Sequence, residues 1–154
     1  MLRYFAYGSN MSSALMRRQC PCAEPSGPAQ LDGWRFIVMR GGYASVVPAA
    51  GGVVHGVLWR LTPRDLATLN AFENIDSGLY LRRVLPVRHA GRRAAALTYV
   101  SPTRAPGRPR PGYQAFLVAT AREWNFPETY VRSLERWEPS GFAGRWTFGT
   151  GAAR

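Results

Sequence analysis

Residues 51–73 read "GGVVHGVLWRLTPRDLATLNAFE". The first half, Val53 to Leu61, is strongly apolar and bounded by glycines, the pattern of a strand buried on both faces or nearly so. Gly56 inside that run lets another segment approach closely. The period then switches. Thr62 stands as N-cap, Pro63 as the first helical residue, and Asp65 completes a capping box with Asp in place of the usual Glu. Leu66, Leu69 and Glu73 follow three and four residues apart, so they share one helix face.

Outward from this stretch, strand candidates follow one another. Before it come "RYFAY" (Arg3 to Tyr7), "LDGWRFIVM" (Leu31 to Met39) and "YASVVPA", ending near Pro48. After it come "LYLRRVLPV" and "RRAAALTYV", joined by the short turn "RHAGR". Residues 12–19 read as a short helix capped by Ser12 or Ser13, and "CPCAEPSGP" reads as loop. Tyr113 to Trp124 reads as a helix with Tyr113, Phe116, Leu117 and Thr120 on one side. A further helix starts at "NFPE", with Asn125 as cap, and carries Tyr130, Leu134 and Trp137 as its apolar stripe. Pro139 stops it, and "FAGRWTF" forms a last strand or an extended tail. The count is six or seven strands and three or four helices, without regular helical crossovers. That pattern predicts an α+β fold with a mixed or antiparallel sheet, open or closed, and peripheral helices.

The chain of 154 residues fits a single domain spanning 1–154, and 46% hydrophobic residues suffice for a core. No run approaches the roughly 20 apolar residues that span a bilayer, and the first apolar run is broken too early for a signal peptide. A cytoplasmic protein is the expectation. Cys20 and Cys22 are the only cysteines, and their C-P-C spacing, far from His55 and His89, suits neither a disulfide scaffold nor a zinc site. No metal and no cofactor is expected. The net charge of +11 comes from 20 basic residues, all arginine, against 9 acidic ones. This balance is compatible with nucleic acid or with an anionic small molecule. The arginines are spread along the chain, so a nucleic-acid partner is not the expected one. The Arg/Pro-rich loop over 102–112 carries no role that the sequence identifies.

Two places carry candidate chemistry. Glu73 ends the helix on its Leu66–Leu69 side. Either it sits at the mouth of the core, where burial raises its pKa and improves it as a base, or it points to water from a fraying turn. Asp76 is a weaker candidate in a turn. The second place is "YGSN", where the first strand stops. Gly8, Ser9 and Asn10 offer successive N–H groups that suit a carboxylate or an oxyanion, yet many ordinary turns read the same way. Ser9 as nucleophile needs a base and an orienting acid. Only His55 and His89 are on offer, and both sit in strand-like runs. Tyr80 and Tyr99 are either core residues or pocket hydroxyls.

"YFAYGSNM" (4–11), "GVVHGVLWRL" (52–61) and "LNAFENIDSGLY" (69–80), in this order and spacing, resemble the gamma-glutamylcyclotransferase-like family. "PGYQAFLVATAREWNFPETYVRSLERWEP" (111–139) is similar to that family's C-terminal helical region, so the resemblance covers nearly the whole chain. It implies a small mixed, largely antiparallel β-barrel with peripheral helices. It implies an enzyme that releases 5-oxoproline and a free amine or amino acid from a gamma-glutamyl compound, without cofactor or metal. By the same resemblance Glu73 is the catalytic residue. Tyr7, Gly8, Ser9 and Asn10 form the substrate-binding loop, and Tyr80, Tyr99 and Tyr113 border the pocket. The partner implied is a small-molecule gamma-glutamyl substrate, not a membrane, and a homodimer is left open. The residues before Glu73, "NAF", depart from the acidic, polar stretch of relatives that act on gamma-glutamyl amino acids. The resemblance also takes in members that act on gamma-glutamyl amines, on gamma-glutamyl-lysine-type isopeptides and on intermediates in antibiotic synthesis, so the leaving group is open. Two alternatives keep the fold or the charge and lose the reaction: a non-catalytic binding module of the same fold, and a basic nucleic-acid-binding protein.

Overall fold

A computed structural model of the protein describes residues 1–73 and 78–137. Five strands close into a barrel in the order β1-β3-β2-β4-β5. They are β1 (Leu2–Ala6), β2 (Glu24–Val38), β3 (Ala44–Leu61), β4 (Leu81–His89) and β5 (Arg92–Val100). Every pairing is antiparallel except β1 with β5, which is parallel and closes the barrel. Four helices lie outside: α1 (Ser13–Gln19), α2 (Pro63–Phe72), α3 (Tyr113–Glu123) and α4 (Glu128–Glu135). The expected α+β barrel with peripheral helices is the architecture found. None of the helices among the described residues is long and apolar enough to cross a membrane.

The strand count differs from the sequence reading for a physical reason. "YASVVPA" and Val53–Leu61 belong to one strand, β3. Pro48, Gly51 and Gly52 look like terminators but sit in an irregularity, where β2 steps from Asp32 to Trp34 while β3 steps from Val53 to Pro48. Gly51 and Gly33 take positive φ there. A Cβ on Gly52 would lie 2.5 Å from the Trp34 carbonyl oxygen, so the two strands bend together and stay paired. The expected loop "CPCAEPSGP" is corrected likewise. From Glu24 onward it is strand, because its prolines and glycine lie at a second shift in register between Pro25 and Gly27. "FAGRWTF", Pro139 and Asp76 lie outside the described residues.

Elsewhere the local signals match. Ser12 caps α1 by accepting from the Leu15 N–H at 3.2 Å. The Thr62–Asp65 capping box is complete, with bonds of 3.0 and 3.2 Å, and Pro63 opens the helix. Gly56 is the close approach: a Cβ there would meet the Ala6 carbonyl oxygen at 2.4 Å and the Phe5 ring at 2.6 Å. One cap is corrected. Asn125 does not start α4, whose cap position is Pro127. It ends α3 in the left-handed region at φ 57, with the Asn125 and Phe126 N–H groups bonded to the Arg122 and Ala121 carbonyls. That is a Schellman closure in which Asn replaces glycine.

The register gives the barrel two rims. The lower rim carries Leu2, Glu24, Leu61 and the β4–β5 turn; the upper carries Ala6, Val38, Ala44, Leu81 and Val100. Helix α2 leaves β3 at the lower rim and climbs roughly 15 Å over its 10 residues. This matches the rise of β1, so Glu73 arrives at the upper rim, where β1 ends. Helix α3 packs on α4 and on the turn after β1. The Gln114 side chain donates to the Leu134 carbonyl at 2.8 Å, and the Trp124 indole donates to the Met11 carbonyl at 2.8 Å. The 102–112 loop straps the β2–β3 turn: Gly107 N–H donates to Val38 at 2.7 Å, and Arg40 N–H to Ala105 at 3.1 Å.

Candidate functional site

Strand β1 ends in a single 3₁₀ turn, Ser9–Met11, before α1 begins. Met11 and Ser12 donate their N–H groups to the Gly8 and Ser9 carbonyls at 3.0 Å. The Ser9 and Asn10 amides precede these donors, and the turn itself has no carbonyl to offer them. Both residues are buried, with side-chain exposure at or near zero. Among the described residues the Ser9 Oγ and the Asn10 Oδ1 find no hydrogen-bond partner. Buried polar atoms left in this way call for a polar partner, either a water molecule or a ligand.

Glu73 closes the site from the other side. It is the C-cap of α2, held by its N–H bond to the Leu69 carbonyl at 2.9 Å, and its exposure is 0%. The reading that sends it to water from a frayed turn is therefore excluded. Its Oε1 lies 3.4 Å from the Asn10 Nδ2, and the same Nδ2 donates to the Tyr4 hydroxyl at 3.0 Å. The tetrapeptide after β1 and the end of α2 thus meet through one amide group.

Tyrosines surround this junction. The Tyr7 hydroxyl donates to the Tyr99 backbone carbonyl, and the Tyr99 hydroxyl donates to the Asn70 side-chain oxygen at 2.6 Å. Tyr80 donates to the Ala44 carbonyl at 2.7 Å, while Tyr113 accepts from the Ala44 N–H at 3.2 Å. The two hydroxyls clasp the backbone of one residue, Ala44, from its N–H and its C=O at the start of β3. Each of these four phenols therefore has a protein partner, which makes them walls that hold shape. Burial, and after it the Glu73 carboxylate, pushes Tyr4, Tyr7 and Tyr99 above the usual tyrosine range. For Tyr80 the order is burial, then Tyr7, then Glu73. All four stay protonated as neutral donors at physiological pH.

Tyr4 is the residue that sequence reasoning missed. It lies in "RYFAY", where Tyr4, Phe5, Ala6 and Tyr7 are all buried, so alternation did not separate the face toward Glu73 from the face toward the core. The other candidates fall elsewhere. His55 packs its ring on Tyr130 and Phe126, with centroids 4.7 and 5.8 Å away. The His89 Nδ1 sits 3.0 Å from the Pro28 carbonyl at the lower rim. Neither histidine is bonded to Ser9, so neither serves as the base that a serine nucleophile needs. Cys20 is buried, its thiol pushed up to about 12 by burial and then by Asp65, and Cys22 is exposed and free. No three His, Cys, Asp or Glu side chains converge on a metal-sized space among the described residues.

Known proteins resemble this chain in sequence and in fold. The family model described as gamma-glutamyl cyclotransferase, AIG2-like, matches residues 4–125. Among curated proteins, the gamma-glutamylcyclotransferases of Mus musculus and Homo sapiens are each 26% identical over 155 aligned residues, which cover 92% of this chain and 81% of theirs. Among solved structures, one described as gamma-glutamyl cyclotransferase superposes with a TM-score of 0.86 at 24% identity, covering 95% of this chain and 93% of that one. YkqA of Bacillus subtilis superposes with a TM-score of 0.75 at 26% identity, covering 88% of this chain and 53% of its own.

Proposed function

Because the chain belongs to the gamma-glutamyl cyclotransferase, AIG2-like family, we propose that it catalyses intramolecular aminolysis of a gamma-glutamyl compound. The α-amino group of the substrate attacks its own γ-carbonyl carbon. A C–N bond forms, the five-membered lactam of 5-oxoproline closes, and the original amide C–N bond breaks to release an amine or amino acid. Both reacting groups belong to one molecule, so the protein needs to fold the substrate back and handle the protons that pass from the attacking to the departing nitrogen.

The observation that carries this reading is the fully buried Glu73 carboxylate beside Asn10 at the end of β1. The α-ammonium of the substrate cannot attack until it loses a proton. Glu73 takes that proton as general base and later delivers it to the departing nitrogen; the second proton, which the α-nitrogen sheds on becoming the lactam N–H, ends on the released amine, which leaves as an ammonium. Asn10 fixes the carboxylate through its Nδ2, and its unpartnered Oδ1 is available to a substrate N–H. The Ser9 and Asn10 amides grip either the α-carboxylate or the oxyanion that forms at the γ-carbon. Tyr7, Gly8, Tyr80, Tyr99 and Tyr113 shape the space. Ser9 acts through its backbone.

A release assay tests the proposal. Gamma-glutamyl amino acids, amines and isopeptides are offered in turn, and 5-oxoproline is measured. We expect release from at least one class. We expect Glu73→Gln to lower kcat by about 10²–10⁴-fold, the usual contribution of a positioned base, with the fold intact. A folded Glu73→Gln variant that keeps more than about a tenth of the wild-type rate excludes Glu73 as the base.

A further inference from the structure

The lower rim, opposite Glu73, carries a concave surface. It is a groove of about 640 Å³ whose lining includes Arg3, Ser26, Arg60, His89, Arg92 and Arg93. Five strands deliver these residues: Arg3 is the second residue of β1, Arg60 pairs with it one residue before the end of β3, and Ser26 lies at the register shift of β2. His89, Arg92 and Arg93 come from the β4–β5 turn.

Bringing four guanidinium groups together costs electrostatic free energy unless an anion offsets it. The protein offers little offset among the described residues. Glu24 reaches Arg60 at 3.9 Å, with both side chains more than half exposed. Asp32, whose carboxyl is held below the usual range first by hydrogen bonds from Arg88 and more weakly by the charges of Arg88 and Arg93, is already taken by Arg88 through two bonds of 2.6 and 2.8 Å. The His89 Nδ1 sits 3.0 Å from the Pro28 carbonyl, which can only accept, so that nitrogen donates to the backbone and fixes the ring at the edge of the groove. The shape and the charge call for a compact, multiply charged anion. The guanidinium fork matches phosphate oxygens in pairs. Phe, Tyr and Trp are absent from the lining, so the groove has no platform on which a nucleobase could stack.

We propose that this groove binds a small anion carrying two or more linked phosphates. The proposal is independent of the chemistry at Glu73, because the two sites occupy opposite rims.

Titration calorimetry of the full chain with tripolyphosphate at about 0.15 M salt tests it, since exposed long-range attraction is largely screened there. One-to-one binding at micromolar or lower Kd is expected. Arg92→Glu/Arg93→Glu should weaken it by about 100-fold or more, one decade for each lost charge-assisted contact. Arg104→Glu/Arg108→Glu, with the same change in charge on an exposed loop, should leave it within about threefold. Backbone amide shifts in the wild type, which need no variant to fold, should concentrate at residues 2–3, 59–61 and 89–93. ATP competing for the same residues would identify a nucleotide triphosphate as a source of the ligand; failure of ATP to compete would point to an inorganic polyphosphate. Absence of binding at this salt, equal losses in the two double variants, shifts spread over the surface, or binding of a single-stranded oligonucleotide without tripolyphosphate would each overturn the proposal.

Discussion

Asn10 does two jobs with one side chain. Its Nδ2 reaches both Glu73 and Tyr4, and it joins segments 63 residues apart in sequence. Asn10→Asp keeps the shape and replaces the amide with a second carboxylate close to the Glu73 Oε1. Two carboxylates at that separation cannot both ionise easily, so the pair titrates with one value raised. The acidic limb of the kcat/KM profile should therefore move to higher pH in this variant. Asn10→Ala should not move it in that direction by the same amount, because it adds no charge. A profile that is superimposable on wild type for Asn10→Asp would show that Asn10 does not sit beside the titrating group. Glu73 itself was legible in the sequence, because helical spacing put it on the apolar side of α2. Tyr4 was not, since in a strand buried on both faces alternation carries no information about which face leads to a site.

At the level of elements, the turn between β4 and β5 departs from what its residues prefer. Both of its central positions, Ala90 and Gly91, take positive φ, 49° and 76°. Glycine adopts this freely, whereas a Cβ in the left-handed region costs about 1–2 kcal/mol. Asn-Gly is the favoured pair for such a two-residue hairpin. Ala90→Asn should thus stabilise the protein by about 1 kcal/mol and raise Tm by about 2–4 °C, and Ala90→Val should lower it. Thermal melts of the three proteins check the order; a lower Tm for Ala90→Asn would mean that the turn is not strained as described. Asn125 shows the converse ambiguity. The same side chain that caps helix starts also tolerates the left-handed region, so "WNFPE" reads equally as the start of α4 or the end of α3. The bonds from residues 125 and 126 back into α3 decide it. Pro48, Gly51 and Gly52 misled for a related reason: residues that end strands also build bulges, and only the partner strand shows which they do.

For the whole molecule, burial of phenols sets an alkaline limit. Tyr4, Tyr7, Tyr80, Tyr99 and Tyr130 are all raised above 10.0, with burial the largest cause in each. Above pH about 10 the unfolded chain loses protons from these groups while the folded protein keeps them. The stabilisation is complete below that pH and is lost as pH rises further. We expect cooperative unfolding above pH 10, with most of the phenolate absorbance appearing together with the loss of circular dichroism. Phenolate formation near pH 10 with the fold intact would contradict the burial described. The sequence by itself determined the features that rest on neighbours a few residues apart: the capping box of α2, a serine cap at position 12 or 13 for α1, the hairpin, the switch of period after Leu61, and the face on which Glu73 lies. These are set by local hydrogen bonds and by the geometry of a single helix or strand. Only the tertiary structure decided that β1 closes the barrel against β5, that the end of α2 meets the turn after β1, and that scattered arginines gather on the lower rim. Each of those depends on register between distant segments, and register is fixed by which buried faces pack together in the closed barrel.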